Sequence, residues 1–180
     1  MSKVERGSKM GTTLAQAGLV AHVVVDAIKE HCERIEIAGS IRRSRPRVRD
    51  IDIVLIPKHD SMAKIKEICL AYHPLFTAEE CKPPKWGGAA ASFSFKGIIR
   101  VDLYFATRAT WPVTLLIRTG SKEHNIYMCS LAREKGMYLA ADGSGLFKTR
   151  LKTDMLRVDD EADVFRQLGE KFRTPEEREA

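Results

Sequence analysis

Cysteine is scarce in this 180-residue chain, and the four it has, Cys32, Cys69, Cys81 and Cys129, stand far apart with no C-x-x-C pair. That pattern excludes a zinc-ribbon type of site and a disulfide framework, and it suits a reducing interior. No apolar run comes near the ~20 residues that a membrane helix needs, and the first ten residues are charged with no apolar segment behind them. The chain is therefore expected to be cytoplasmic, neither secreted nor membrane-inserted. It has no internal repeat and none of the compositional bias that keeps chains disordered or collagenous. What is there is 44% hydrophobic and 30% charged, enough for one domain or two small lobes around a real core. Lysine and arginine number 30 against 24 aspartate and glutamate, and the resulting +6 favours polyanionic partners.

Periodicity orders the chain into alternating helices and strands. Thr13 and Gln16 form a capping-box pattern before Leu14, Ala17, Ala21, Val24, Val25 and Ile28, whose spacing predicts a helix over 13–31. Ile35 to Ala38 reads as a strand that enters a loop at Gly39-Ser40, and Pro46 marks Arg45 to Arg49 as exposed loop. Asp50 to Ile56 alternates strictly, as a strand requires, and Pro57 ends it. Met62 to Tyr72 has helical spacing. Phe93 and Phe95 lead through Lys96-Gly97 into a second strand, Ile98 to Phe105, as a hairpin. Beyond Thr107, Trp111-Pro112 opens one helix, Ser121 caps another that Gly136 stops, and Asp142 to Gly145 turns a hairpin between Leu139 and Phe147. A last helix is expected over 161–168, followed by a charged, frayed tail from Arg173.

Asp50 and Asp52 lie two apart on a strand, so both carboxylates point to one side and repel each other. Asp102 repeats the arrangement on the later strand, sharing its face with Arg100 and Tyr104. Taken alone, D-x-D on a strand is the solvent face of a sheet. Gly39-Ser40, with its backbone amides and hydroxyl, and Arg43 change that reading, because they form a seat for phosphates beside the acids. Carboxylates that take hard divalent cations, next to a phosphate seat, belong to nucleotidyl transfer.

Gly39-Ser40-Ile41-Arg42-Arg43 followed by Asp50-Ile51-Asp52-Ile53 resembles the signature of the nucleotidyltransferase superfamily in its family X DNA polymerase form. The resemblance extends to Arg100-Val101-Asp102-Leu103, to Thr119-Gly120-Ser121 and to Lys122-Glu123-His124-Asn125, and it covers about residues 13 to 170. It implies an α+β fold: a nucleotidyltransferase palm over 1–107, with a mixed β-sheet flanked by helices, and a small α/β thumb over 108–180. No lyase or fingers-like domain is expected beside these two, as in the minimal viral or phage-encoded form. The resemblance further implies that Asp50, Asp52 and Asp102 hold two Mg²⁺ ions, for which Mn²⁺ substitutes, and that Asp102 serves the primer 3′-hydroxyl. It places Gly39, Ser40, Arg43, Gly120, Ser121 and Asn125 at the incoming dNTP. It sets Arg42, Arg45, Arg47, Arg49 and Lys122 against a primer-template or gapped DNA, and the protein acting as a monomer.

Two departures stand out: Ile117-Arg118 occupies the place of a usual Tyr-Phe pair, and Cys129 stands where Arg often contacts the template. Both bear on sugar selection and fidelity. Trp86, in a Pro- and Gly-rich loop with exposed lysines, either stacks on a base or plugs the loop. His124, in a charged first helical turn, reads as solvated. Two other functions compete with a polymerase: a nucleotidyltransferase acting on a small molecule, a protein or an RNA end, and a non-catalytic nucleic-acid binder. The Thr-Gly-Ser turn disfavours the first, since small-molecule relatives usually lack it. The presence of all three acids disfavours the second.

Overall fold

Thr13 starts the first helix as its sequence dictates, accepting the Gln16 amide on its hydroxyl while the Gln16 side chain accepts the Thr13 amide. In the computed structural model, residues 11–74 and 83–179 are described; Cys81, and Lys82 at the head of the Trp86 loop, lie outside them. In chain order, β1 (Thr12–Thr13), α1 (Leu14–Ile28), β2 (Cys32–Ile37), α2 (Gly39–Arg42), β3 (Arg47–Val48), β4 (Asp50–Pro57) and α3 (Met62–Ala71) come first. Then follow β5 (Lys85–Trp86), β6 (Ala90–Phe95) and β7 (Ile99–Phe105). Two segments depart from expectation. Gly39 to Arg42 is one helical turn rather than loop, and the expected loop 45–49 holds β3, which pairs antiparallel with β1 because Val48 is buried.

The main sheet runs β2-β4-β7-β6-β5, antiparallel throughout except for the parallel β4–β7 pair, so it is mixed. Its two faces have different jobs. Ile51, Ile53, Leu55, Val101, Leu103, Phe93 and Phe95 pack under α1 and α3 on Ala17, Ala21, Val24, Ile28, Ile65 and Cys69. Each such aliphatic removed from water stabilises the fold by about 1.5–3 kcal/mol. The opposite face carries the acids at one end of β4. At the other end, Val54 and Ile56 receive Trp111 and Leu115, together with Ala38 and Ala106.

The second half is built from α4 (Trp111–Thr119), α5 (Lys122–Glu134), β8 (Tyr138–Leu139), β9 (Leu146–Phe147) and α6 (Glu161–Gln167). Pro112 lies in the first turn of α4, Ser121 caps α5 by accepting the His124 amide, and Gly136 stops α5 at φ +73°. Val113, Leu116, Met128, Leu139, Leu146, Val164, Phe165 and Leu168 close a core of their own.

The tail corrects the sequence reading. Rather than fraying from Arg173, it ends in a 3₁₀ turn over Glu176–Glu179 in which Arg178 is 1% exposed. Arg178 pairs with Glu161 at 2.8 Å, and its carbonyl accepts the Ser121 hydroxyl at 2.6 Å. Charge density alone reads as a solvated tail. The pairing that buries it lies 17 residues upstream, beyond the reach of any local pattern.

Candidate active site

Strand alternation turns Asp50 and Asp52 away from the Ile51-Ile53-Leu55 face, and parallel pairing then decides what they meet. The register sets Asp52 opposite Asp102 and Asp50 opposite Arg100, on strands about 4.8 Å apart. Three carboxylates thus gather at one place on the sheet. Burial and the charges of Asp50 and Asp102 push the Asp52 carboxyl up to about 7, against the opposing pull of the Tyr104 hydroxyl and of Arg118. Tyr104 donates to Asp52 Oδ1 at 3.2 Å. Arg100 is paired with Asp50 and, at 3.0 Å, with Asp102.

Gly39 explains itself through Asp52. Its φ is +58°, and a Cβ there would fall 1.9 Å from Asp52 Oδ2, so only glycine lets α2 approach the acid. The next residue, Ser40, has a buried hydroxyl with no partner. Beyond it the arginines divide. Arg42 is drawn inward: it grips Glu161 through both guanidinium nitrogens, at 2.9 and 2.6 Å, and donates to the Thr119 hydroxyl at 2.7 Å. Its side chain is thereby engaged inside the protein, although it stays partly exposed. Arg43 donates to the Thr119 carbonyl and pairs with Glu179, which also takes Arg45 at 2.8 Å. Arg47 donates to the Gly11 carbonyl at 3.2 Å, and Arg49 and Lys122 are exposed.

The Thr119-Gly120-Ser121 turn meets the same arginine. Gly120 has φ +70°, and a Cβ on it would lie 3.0 Å from Arg43 Nη1, so the turn and the Gly39-Ser40 segment converge there. Asn125 donates to the Ile117 carbonyl at 2.8 Å, while its own Oδ1 is buried without a partner. Arg43, three residues after Ser40, thus meets the distant Thr119-Gly120 turn, and Ser121 and Asn125 follow that turn at the start of α5. Trp86 packs its ring on Phe105, 5.8 Å between centroids, and so plugs its loop.

His124 is a second correction. It is 5% exposed, stacked near Phe165, and neither ring nitrogen has a partner. Burial, with Arg178 and Arg173 nearby, pushes it down to about 4. The unfolded chain therefore binds a proton between pH 6.5 and 4 that the folded one refuses, and stability falls as pH drops through that window. Replacing His124 with Phe removes this loss. The variant is expected to gain about 3 kcal/mol on the wild type between pH 6.5 and pH 4 in urea denaturation; parallel pH profiles for the two proteins refute it.

Among the described residues no His, Cys, Asp or Glu side chains are already gathered as a ready three-ligand metal cage. The donor set nonetheless fits a hard divalent cation: three carboxylates, one of them half-buried and driven up by that burial and by the other two, with Arg100 now supplying positive charge at their edge. The sequence reading missed the partners. Arg100 and Tyr104 were legible as same-face neighbours of Asp102, whereas the roles of Glu161, Arg178 and Glu179 have no local signal.

Residues 114–179 match the DNA polymerase beta thumb family. Over 167 residues the chain is 31% identical to the DNA-directed DNA/RNA polymerase mu of Homo sapiens, covering 87% of this chain and 33% of that one. Over 151 residues it is 29% identical to the DNA polymerase/3′-5′ exonuclease PolX of Bacillus subtilis (strain 168), covering 83% and 25%. The chain thus spans a quarter to a third of the curated relatives it matches. Its fold is that of Leishmania infantum polymerase beta, solved as ternary gap and P/T complexes. The TM-scores are 0.77 and 0.72, at 20% and 22% identity, covering 96% of this chain and 72% and 78% of those chains.

Proposed function

The chain belongs to family X of the DNA polymerases, and from that premise we propose that it adds nucleotides from dNTPs to the 3′-hydroxyl of a DNA primer, releasing pyrophosphate, in short-gap or repair synthesis. The observation that carries this is the register of β4 on β7, which brings Asp52 opposite Asp102 with Asp50 one step along the same face, directly beneath the Gly39-Ser40 turn. On this reading residues 1–107 are the palm and 108–180 the thumb, in keeping with the separate cores on either side of α4. Asp50, Asp52 and Asp102 would hold two Mg²⁺ ions, or Mn²⁺ in their place. Bound there, such ions supply charge stabilisation for an in-line displacement at phosphorus.

The chain's own groups do the rest. Asp102, opposite Asp52 in the register, would accept the primer hydroxyl proton. Ser40, with a buried hydroxyl that has no protein partner, and the backbone amides of the Gly39-Ser40 segment receive phosphate oxygens. Arg43, which meets the Gly120 turn, joins them once the triphosphate competes with Glu179 for it. Arg42, Arg45, Arg47, Arg49 and Lys122 face the DNA backbone, and the protein acts as a monomer. Among the described residues no helix is long and apolar enough to cross a membrane.

The test is a labelled primer offered alone, on a template and in a gapped duplex, each with dNTPs or NTPs and with Mg²⁺ or Mn²⁺. Extension that needs the template supports the reading; nucleotide transfer only to free ends or small acceptors supports the rival nucleotidyltransferase. DNA affinity is expected to fall steeply with salt, because exposed arginines and lysines bind phosphates by counterion release. A flat salt response counts against nucleic acid as the substrate.

A further inference from the structure

The last turn of α4 sends Arg118 across to β7, at a position where the resemblance leads one to expect an aromatic ring. Its guanidinium lies 4.1 Å from the centroid of the Tyr104 ring. One terminal nitrogen donates to the Asp142 carbonyl at 2.9 Å, and Nε is buried with no partner. A guanidinium whose buried Nε is left unpaired is not placed for its hydrogen bonds alone; its contact with the ring face is what holds it there. Tyr104 in turn gives its hydroxyl to Asp52. The turn that holds Arg118 is itself fastened, since Thr114 donates to the Gly143 carbonyl at 2.9 Å and a Cβ on Gly143 would come within 3.0 Å of Thr114 Cα. An unbroken line of contacts therefore runs from the 142–145 turn through Arg118 and Tyr104 to Asp52.

We propose that Arg118 is a positioning residue of the reaction site: clamped between the Asp142 carbonyl and the Tyr104 ring, it holds the Tyr104 hydroxyl on Asp52 and so sets the direction in which Asp52 presents its carboxylate. This rests on Asp52 being one of the reacting acids. Tyr104 also packs against the cluster of Val54, Ile56, Trp111 and Leu115, and the cation on its ring adds the contact nearest the reaction site. Without that cation the ring keeps its apolar seat but loses a restraint on its hydroxyl end, and the carboxylate is oriented less firmly. The positive charge also faces a cluster of three acids across a single ring, where a neutral side chain would leave them unopposed on that side.

Steady-state single-nucleotide insertion tests the chemistry. Arg118→Ala and Tyr104→Phe are each expected to lower kcat about 10-fold while the dNTP KM stays within about 3-fold, because an orienting contact matters when Asp52 acts more than when nucleotide binds. Arg118→Lys, which keeps a cation over the ring, should recover most of the loss. The Arg118→Ala/Tyr104→Phe double variant should fall no further than the worse single, since both act through one hydroxyl. A second measurement needs no activity: thermal unfolding in EDTA, where Arg118→Ala should lower Tm more in the wild-type background than in Asp52→Asn. Unchanged kcat, a loss confined to KM, multiplicative losses in the double variant or equal Tm losses in the two backgrounds each overturn the proposal. A wild type that extends no primer would sink the polymerase reading instead, and the EDTA comparison would still decide whether Arg118 and Asp52 are coupled.

Discussion

Asp52→Asn is expected to yield a protein that adds no nucleotides and yet, in EDTA, unfolds at higher denaturant than the wild type. The activity loss should reach at least ~10³-fold, because on the proposed reading the substitution removes a metal-ligand charge that no neighbouring group replaces. The gain in stability follows from the same geometry. Asp52 is half-buried beside Asp50 and opposite Asp102, and its partial burial with those two charges pushes it up to about 7 from an ordinary 3.8. Its folded pKa is raised, so the stability it contributes is present in acid and lost as pH rises from about 4 through 7. Asparagine carries no charge and keeps an acceptor for the Tyr104 hydroxyl. At pH 8 the variant should therefore be about 1–3 kcal/mol more stable, with the advantage shrinking below pH 5. Urea denaturation of both proteins at pH 5 and pH 8, beside the insertion assay, checks the two halves together. A variant that is inactive because it is less stable would mean that Asp52 is a structural group of the sheet, and near-wild-type insertion would remove it from the chemistry. Asp50→Ala and Asp102→Ala should match it in activity.

Why the acids were legible in the sequence, and their surroundings were not, is a matter of range. Alternation fixes which way Asp50, Asp52 and Asp102 point within their own strands, and the hairpin signal at Lys96-Gly97 fixes β6 on β7. The one step no local pattern supplies is the parallel register of β4 on β7, which turns two same-facing acids and a third into a site. Gly39 was readable as a turn residue, but its actual constraint is the carboxylate of Asp52 pressed against its Cα, 13 residues on. The arginines show the limit most clearly. Five like charges between Arg42 and Arg49 read as one anion-binding face. In the fold Arg42 serves Glu161 and Arg43 serves Thr119 and Glu179, while the others are free of such internal carboxylate grips or share Glu179 at the surface. His124 misled for the opposite reason: its charged neighbours Lys122 and Glu123 are exposed, and a histidine two positions away turns inward at helical spacing onto Phe165.

The second large effect is expected at Glu161. Its carboxylate, 8% exposed, lies between two guanidinia: Arg42, from α2, takes both oxygens, and the fully buried side chain of Arg178 takes Oε1 at 2.8 Å. Burial raises the acid, but the hydrogen bonds and charges of Arg42 and Arg178 outweigh it and hold Glu161 below its ordinary 4.5. Replacing both ions with apolar groups would be nearly neutral, since a buried ion pair repays little beyond its desolvation. Removing one partner is different. Glu161→Ala leaves two positive charges facing each other in a low-dielectric pocket, at a cost of about 3–5 kcal/mol, a large share of a domain's ~5–15 kcal/mol. The damage should be local in character. Arg42 also holds the Thr119 hydroxyl, and the Arg178 segment holds Ser121, so the loosened elements are α2, the Thr119-Gly120-Ser121 turn and the tail rather than the sheet. Amide exchange should accordingly speed up at 119–125 and 174–179 while β4 and β7 keep their protection. Adding Arg42→Ala to Glu161→Ala should restore part of the stability, because one stranded charge is gone. The wild-type advantage over Glu161→Gln is present above pH 4.5 and should vanish as pH falls below it, once the native carboxylate is protonated. A Glu161→Ala variant that denatures within 1 kcal/mol of wild type would show that water already reaches the pair, and that the apolar contacts of Trp111 and Leu115 and the Arg42 and Arg43 bonds to Thr119 join the two halves of the molecule without it.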